Sequence, residues 1–274
     1  GSTISAISVG FLAYISQSMG AGKKQQAKKA SAQAVITVLI VGILFTLLTI
    51  GLSSKVPVWM QVDPSIRRMA SSYFLILYSP MLFRTANIIF GTVLRAVGDT
   101  KTPMQVGVAF NVINIVLNYF LIYSTRTVSI GGKNVLIPGA GWGVQGAAAA
   151  SAIAYTIGGI AITIKLWKHP DISPKGQSFK LDKVVLKPCL KVAVPNMFQR
   201  FATSLGYVAF ASMINSLGET ATAAHTIANT VESAFYIPGW GMQTAAATLA
   251  GNALGANDNK KLSGLARAIM PLEI

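Results

Sequence analysis

The chain has 274 residues, 52% hydrophobic and 11% charged, with a formal net charge of +15 and a mean hydropathy of +0.54. A soluble domain carries about a quarter charged residues, so the composition excludes that class; the basic residues lie in short gaps between apolar runs, which excludes a nucleic-acid face as well. Cys189 is the only cysteine, leaving no internal disulfide framework and no Cys-rich metal site.

Gly1–Gly22, Ala30–Ser54, Thr102–Thr125, Asn134–Ile164 and Ser233–Asn257 contain no Asp, Glu, Lys or Arg. Each is long enough to cross a hydrocarbon core of about 30 Å as a helix rising about 1.5 Å per residue. Two further runs are interrupted by isolated charges, Met69–Val97 by Arg84 and Cys189–Leu217 by Lys191 and Arg200, and Pro80 and Pro195 are expected to kink them. In chain order the predicted helices lie near 1–20, 30–54, 69–97, 103–124, 141–166, 189–217 and 220–254. The expected fold class is all-α, a polytopic transmembrane helical bundle of about seven spans.

Threading the loops alternately through a bilayer places most of the 23 basic residues on one side. Only Lys55, Arg67, Arg68, Arg126 and Lys133 fall on the other, with Arg84 and Arg200 inside spans. The basic side is therefore the cytoplasmic one, and the protein is expected to be a multi-pass protein of a cell membrane, the inner or plasma membrane of a bacterium. Gly1–Gly20 lacks the basic start and short apolar core of a signal peptide. It enters the membrane with nothing before it, and the expectation is that Gly1 is not the natural start.

The fifth span opens with Gly139-Ala-Gly-Trp-Gly-Val-Gln-Gly146 and continues into the run Ala147–Ala150, a surface nearly without side chains. Such a surface allows close backbone approach, which drives helix association in lipid, and places this span inside the bundle. Two span ends share their wording: Ser16-Gln-Ser-Met-Gly-Ala-Gly22 before Lys23, and Gly251-Asn-Ala-Leu-Gly-Ala-Asn257 before Asp258. Recurrence at the same topological position and orientation marks a parallel internal repeat. The basic, proline-containing stretch 169–188 then reads as a cytoplasmic linker between helices of a first lobe, 1–168 with five spans, and the start of a second, 189–274 with two spans and a cytoplasmic end.

Five phrases, in their order and spacing, resemble the multidrug and toxic compound extrusion (MATE) family. They are Gln17–Gly22, Leu94-Arg-Ala-Val-Gly-Asp-Thr-Lys-Thr-Pro-Met104, Gly141–Ala148, Ala223-Ala-His-Thr-Ile-Ala228 and Leu249–Ala256. The resemblance covers essentially the whole chain. It implies a two-lobe, twelve-helix transporter fold of which this chain holds the second through the eighth helices. It also implies multidrug efflux by secondary antiport, in which organic, cationic compounds leave in exchange for protons or sodium. The family's acidic ion-coupling residue on its first helix has no counterpart here. With that helix and the last four of the family absent, the chain is expected to be a fragment inactive alone. Two alternatives stay open: a lipid-linked sugar flippase, and a non-transporting membrane scaffold or half-protein.

Ionisable groups inside spans cost roughly 2.5–3.5 kcal/mol on insertion scales and are functional candidates by default. Glu232 leads them, because a carboxylate within a bundle can bind a proton, a sodium ion or a cationic solute; its alternative is a static ion pair with Arg200 on the preceding antiparallel helix. Arg84 has no acidic residue at its depth and is left with a water-filled cavity, carbonyls freed by Pro80, or a carboxylate outside this chain. Gln199 and Asn229 offer neutral polar contacts or interhelical hydrogen bonds. Asn111, Asn114 and Asn118 form one polar stripe that lines a cavity or packs. His225 has no second His or Cys at ligand spacing, so no metal is expected, and Arg95, Asp99 and Lys101 belong to a turn. Phosphate-loop, nucleophile-elbow and zinc-protease signatures are absent, and no enzymatic activity or cofactor beyond a coupling proton or sodium ion is expected.

Overall fold

The structure, a computed structural model, describes residues 2–59, 63–130 and 133–273. Gly1 and Ile274, the outer limits of the sequence-based first and second lobes, lie outside the described residues. The helices are α1 (Ser2–Gly20), α2 (Lys24–Leu52), α3 (Val56–Trp59), α4 (Arg67–Tyr78), α5 (Met81–Ala96), α6 (Lys101–Ile122), α7 (Gly143–Lys168), α8 (Lys183–Asn215), α9 (Glu219–Gly255) and α10 (Asn259–Glu273). Between α6 and α7 stand two short strands, β1 (Ser124–Ile130) and β2 (Lys133–Ala140).

The helix-rich membrane fold expected from the charge-free runs is present, with local departures. Helices α2, α6 and α7 have both the length and the apolarity to cross a membrane, and α4 with α5, bent by 42° at Ser79-Pro80, have them together. Pro80 has no N–H to donate, which accounts for the break. Helices α1, α8 and α9 also have crossing length, α8 and α9 being more polar on average than α2, α6 and α7. Pro188 and Pro195 lie inside α8, which continues through both, so the expected start at residue 189 moves back to Lys183. Residues 124–140, most of which the sequence leaves between the fourth and fifth spans, form an antiparallel pair running from Ser124 opposite Ala140 to Ile130 opposite Lys133. Alternating β-branched residues favour that conformation over a helix.

The chain divides into two compact units, residues 1–34, 92–99 and 170–274, and residues 35–91 and 100–169. In the first, α1 packs on α8 and α9, and α9 on α8 and α10. Ile4, Phe11 and Ile15 are fully buried there, as are Val185 of α8 and Ala253 of α9. A methyl group on Gly10 would collide with the Cys189 carbonyl, which shows how closely α1 and α8 approach.

The two similar phrases have the same geometry. Ala21, Gly22 and Lys23 donate their N–H groups to the carbonyls of Gln17, Met19 and Ser18, and Ala256, Asn257 and Asp258 donate to those of Asn252, Leu254 and Ala253. Gly22 (φ 70°) and Asn257 (φ 58°) take the left-handed position that this helix ending requires. The two endings also pack on each other. Gly20 meets the backbone of Asn252, Gly255 meets that of Gln17, and Gly251 meets Ser16. Since Gln17 corresponds to Asn252 and Gly20 to Gly255, the contact is reciprocal, and Ser16 touches its own counterpart, Gly251. That is the pattern of a local pseudo-two-fold axis.

Within the same unit, residues 170–182 are held as a strap against the start of α2. The buried Gln33 side chain donates to the Lys180 carbonyl at 2.7 Å and accepts from the Asp182 N–H at 3.0 Å. Ion pairs join Lys24 to Asp171 at 2.8 Å and Lys29 to Asp182 at 3.0 Å. Asp182 also caps α8, accepting from Val184 N–H, and Ile172 is fully buried.

In the second unit α6 and α7 run antiparallel, and α4 packs on α7. The glycine- and alanine-rich face of α7 is buried, with Gly146 against the Leu121 backbone, Gly158 against Asn87 and Gly159 against Phe83. The close helix approach expected of this small-residue surface is present on one face of α7, while Ile153, Ile157, Ile160 and Ile164 on the other are exposed, so the helix is not central in its unit.

Candidate functional site

Helix α8 carries Asn196, Gln199, Arg200, Thr203 and Ser204 at positions i, i+3, i+4, i+7 and i+8, which places them on one face. With Gln243 of α9 they line an open groove of about 280 Å³. Thr203 anchors its hydroxyl by donating to the Gln199 carbonyl at 2.9 Å, and the remaining groups offer amide and hydroxyl contacts around one guanidinium. Among the described residues no carboxylate lines the groove. Its chemistry is that of a hydrogen-bonding site with one positive charge, suited to oxygen-rich or anionic groups.

Glu232 is on the neighbouring helix but not in this lining. The helices are tied by Asn229, whose Nδ2 donates to the Tyr207 hydroxyl at 2.9 Å, and by an edge-to-face contact of Phe210 with His225 at 5.5 Å. Carried along the antiparallel pair, that register brings Glu232 level with Ser204, about one turn beyond Arg200. Glu232 is exposed, hydrogen-bonds the Tyr236 side chain on its own helix, and forms no ion pair with Arg200. The static Arg200–Glu232 pair is thus not formed. His225 is packed against Phe210 with its Nε2 buried, and among the described residues no group of three or more His, Cys, Asp and Glu is placed to hold a metal.

The other candidates lie in the second compact unit. Arg84 has its guanidinium carbon 5.5 Å from the Tyr78 ring centre and 4.8 Å from that of Tyr155. Two aromatic faces, and not a carboxylate, therefore surround the charge. Asn114 donates to Ser151 of α7 at 3.1 Å and accepts from Asn118 at 3.0 Å, so the asparagine stripe serves helix packing at this point. Asn111 bonds its own helix, to the Gly107 carbonyl.

Of the six residues singled out from sequence, only Gln199 and Arg200 share a cavity. The sequence reading passed over Asn196, Thr203, Ser204 and Gln243. The first three were detectable from their helical spacing beside Gln199 and Arg200, whereas Gln243 had no signal, because only the α8–α9 packing brings it there.

The MatE family model matches residues 1–120 and 195–272. A probable multidrug resistance protein NorM of Thermotoga maritima is 26% identical over 269 residues, covering 96% of this chain and 54% of that protein. The probable multidrug resistance protein YoeA of Bacillus subtilis is 26% identical over 257 residues, covering 92% and 53%. Among solved structures, an outward-facing multidrug resistance MATE transporter of the MOP superfamily superposes with a TM-score of 0.85 at 22% identity, covering 99% of this chain and 57% of that one. A MATE transporter in complex with MaD3S superposes at 0.84 and 21%, covering 99% and 58%. A MOP superfamily transporter from Pyrococcus furiosus, described as having a binding pocket of reversed polarity, superposes at 0.83 and 20%, covering 99% and 57%. The chain spans about half the length of the curated relatives it matches.

Proposed function

Because this chain belongs to the MatE family of membrane transporters, we propose that it acts as part of a secondary antiporter that exports organic compounds in exchange for protons or sodium ions. Residues 1–168 contribute to one lobe, 169–188 link the lobes and 189–274 begin the second. The reciprocal packing of Gly20 on Asn252 and Gly255 on Gln17 supports a pair of related lobes. Rocking of the lobes would open a central cavity alternately to each side of a bacterial inner or plasma membrane.

The observation that carries this reading is the polar groove of α8 and α9 with Glu232 about one turn away. Glu232 takes the coupling ion, and Arg200, Gln199 and Asn196 contact solute; Asn229, Asn114 and Arg84 hold helices together. Protonation or sodium binding at Glu232 favours one conformation and solute the other, through differential affinity. The test is Glu232→Gln in the transporter carrying this segment, read as efflux of a fluorescent lipophilic cation from cells with equal transporter in the membrane. Gradient-driven efflux is expected to fall severalfold, and efflux equal to wild type would remove Glu232 from coupling. A lipid-linked sugar flippase is the second reading, favoured by the acid-free, Arg200-centred lining.

A further inference from the structure

The antiparallel pair α6–α7 has a groove with no part in the reading above. Three contacts set the register of the pair: Gly146 with Leu121, Asn114 with Ser151, and Phe110 with Tyr155 at 4.6 Å between ring centres. The same register brings Lys101, the first residue of α6, level with Lys165, and Lys168 follows less than one turn later. At this end a groove of about 150 Å³ runs between the helices, walled by Ala109, Phe110, Ile157 and Ala161 and ending at Gln105 and Lys165. The surrounding surface is apolar and exposed, with Val108, Val112 and Ile115 on α6 and Ile153, Ile160 and Ile164 on α7. Such a surface has the apolar character that acyl chains contact.

We propose that this groove binds an anionic phospholipid of the cytoplasmic leaflet, with part of one acyl chain between α6 and α7 and the headgroup phosphate among Lys101, Lys165 and Lys168. A cavity of this size is below the roughly 300–1,000 Å³ of drug-sized sites, and its apolar walls suit a chain. No Asp or Glu occurs from Lys101 through Lys168; of the acids that flank the stretch, Asp171 is paired with Lys24 and Asp99 precedes Lys101 by two residues, and among the described residues the three lysines form no ion pairs. The end is the one that the charge asymmetry assigns to the cytoplasm, where basic pockets between helices take anionic headgroups. Gln105 adds an amide at the boundary between chain and headgroup.

The purified chain in detergent, mixed with equal amounts of phosphatidylglycerol and phosphatidylcholine of identical acyl chains, tests this by native mass spectrometry of the retained lipid. Phosphatidylglycerol is expected to be retained in preference. Lys165→Gln is expected to lower that preference about fivefold, in line with one surface lysine's attraction to anionic lipid. Lys183→Gln, an equal charge loss on α8, is expected to leave it unchanged. Equal retention of the two lipids, or an equal effect of the two substitutions, would overturn the assignment. Inorganic phosphate is expected not to displace the lipid; displacement would mean that the lysines bind phosphate without the groove. Ala161→Phe, which fills the groove, is expected to reduce retention of both lipids, and unchanged retention in a folded variant would remove the chain from it.

Discussion

Replacing Gly20 with alanine puts the paired helix ends under direct strain. A Cβ at Gly20 would overlap the backbone of Asn252, and one at Gly255 the backbone of Gln17. Main chain on an opposing helix cannot rotate aside as a side chain can, so α1 and α9 must separate to admit either methyl group. Overpacking of this kind costs about 1–3 kcal/mol, offset by at most about 1 kcal/mol of helix propensity gained over glycine. The net loss is up to about 3 kcal/mol, and at roughly 2–4 °C per kcal/mol for chains somewhat shorter than this one, Tm falls by up to roughly 12 °C. Gly255→Ala should behave alike, and the double variant should lose less than the two single losses together, because one displacement relieves both collisions. Gly107→Ala on α6, where nothing lies within 4 Å of the added carbon, serves as the control and should hold or raise Tm. The assay is thermal unfolding by intrinsic fluorescence in one detergent, on monodisperse samples. Equal shifts for Gly20→Ala and Gly107→Ala would refute the close reciprocal contact.

Two further outcomes follow from polar contacts. The Lys29 side chain and the Val184 N–H hold the Asp182 carboxyl below its ordinary value of 3.8, so its contribution is fully present above 3.8 and is lost as the pH falls through the lower folded value. Wild type should therefore exceed Asp182→Asn in Tm at neutral pH, with the gap closing as the pH drops past 3.8; a gap independent of pH would refute the assignment. For the guanidinium between two rings, a double-mutant cycle of Arg84→Met and Tyr155→Leu should show a coupling of about 0.5–2 kcal/mol, read from unfolding midpoints, and a coupling near zero would refute the stacking.

How far the fold was legible depended on which force set each element. Charge-free runs located the long helices because hydrocarbon tolerates no unpaired backbone or stray charge, and that constraint is written in composition. The repeat was legible for a similar reason, since Gly22 and Asn257 are the residues that accept the left-handed turn ending α1 and α9. The strands were not, although Thr125–Ile130 and Asn134–Ile137 are rich in β-branched residues on either side of Gly131-Gly132. The absence of charge in 134–164 had already been explained by a span, and that masked the strand signal. Sequence distance also hid the strap, because Gln33 finds Lys180 and Asp182 only after folding. Arg84 shows the same limit: the lack of a nearby acid was visible, but the rings that surround it come from α4 and α7.

If solute binds in the proposed groove, Arg200 would weigh on the choice between a cationic and an anionic one. At about 6 Å and an effective dielectric of about 20, a unit charge in the groove interacts with the guanidinium by about 3 kcal/mol, unfavourably for a cation and favourably for an anion. Glu232, about one turn along the paired helix and outside the lining, can offset that repulsion only while it is ionised. A cation exporter would then hold its solute when Glu232 is deprotonated and release it on protonation, which is the order that proton antiport needs. Arg200→Gln removes the opposing charge, so it should strengthen cation binding by on the order of a hundredfold and leave the dependence on Glu232 intact. For the flippase reading the same substitution removes the one positive charge in the groove and should weaken binding of an anionic amphiphile by a comparable factor. Binding of a fluorescent lipophilic cation and of a phosphate-bearing amphiphile, measured on the same Arg200→Gln protein, separates the two. No change with either ligand would place the solute away from α8 altogether.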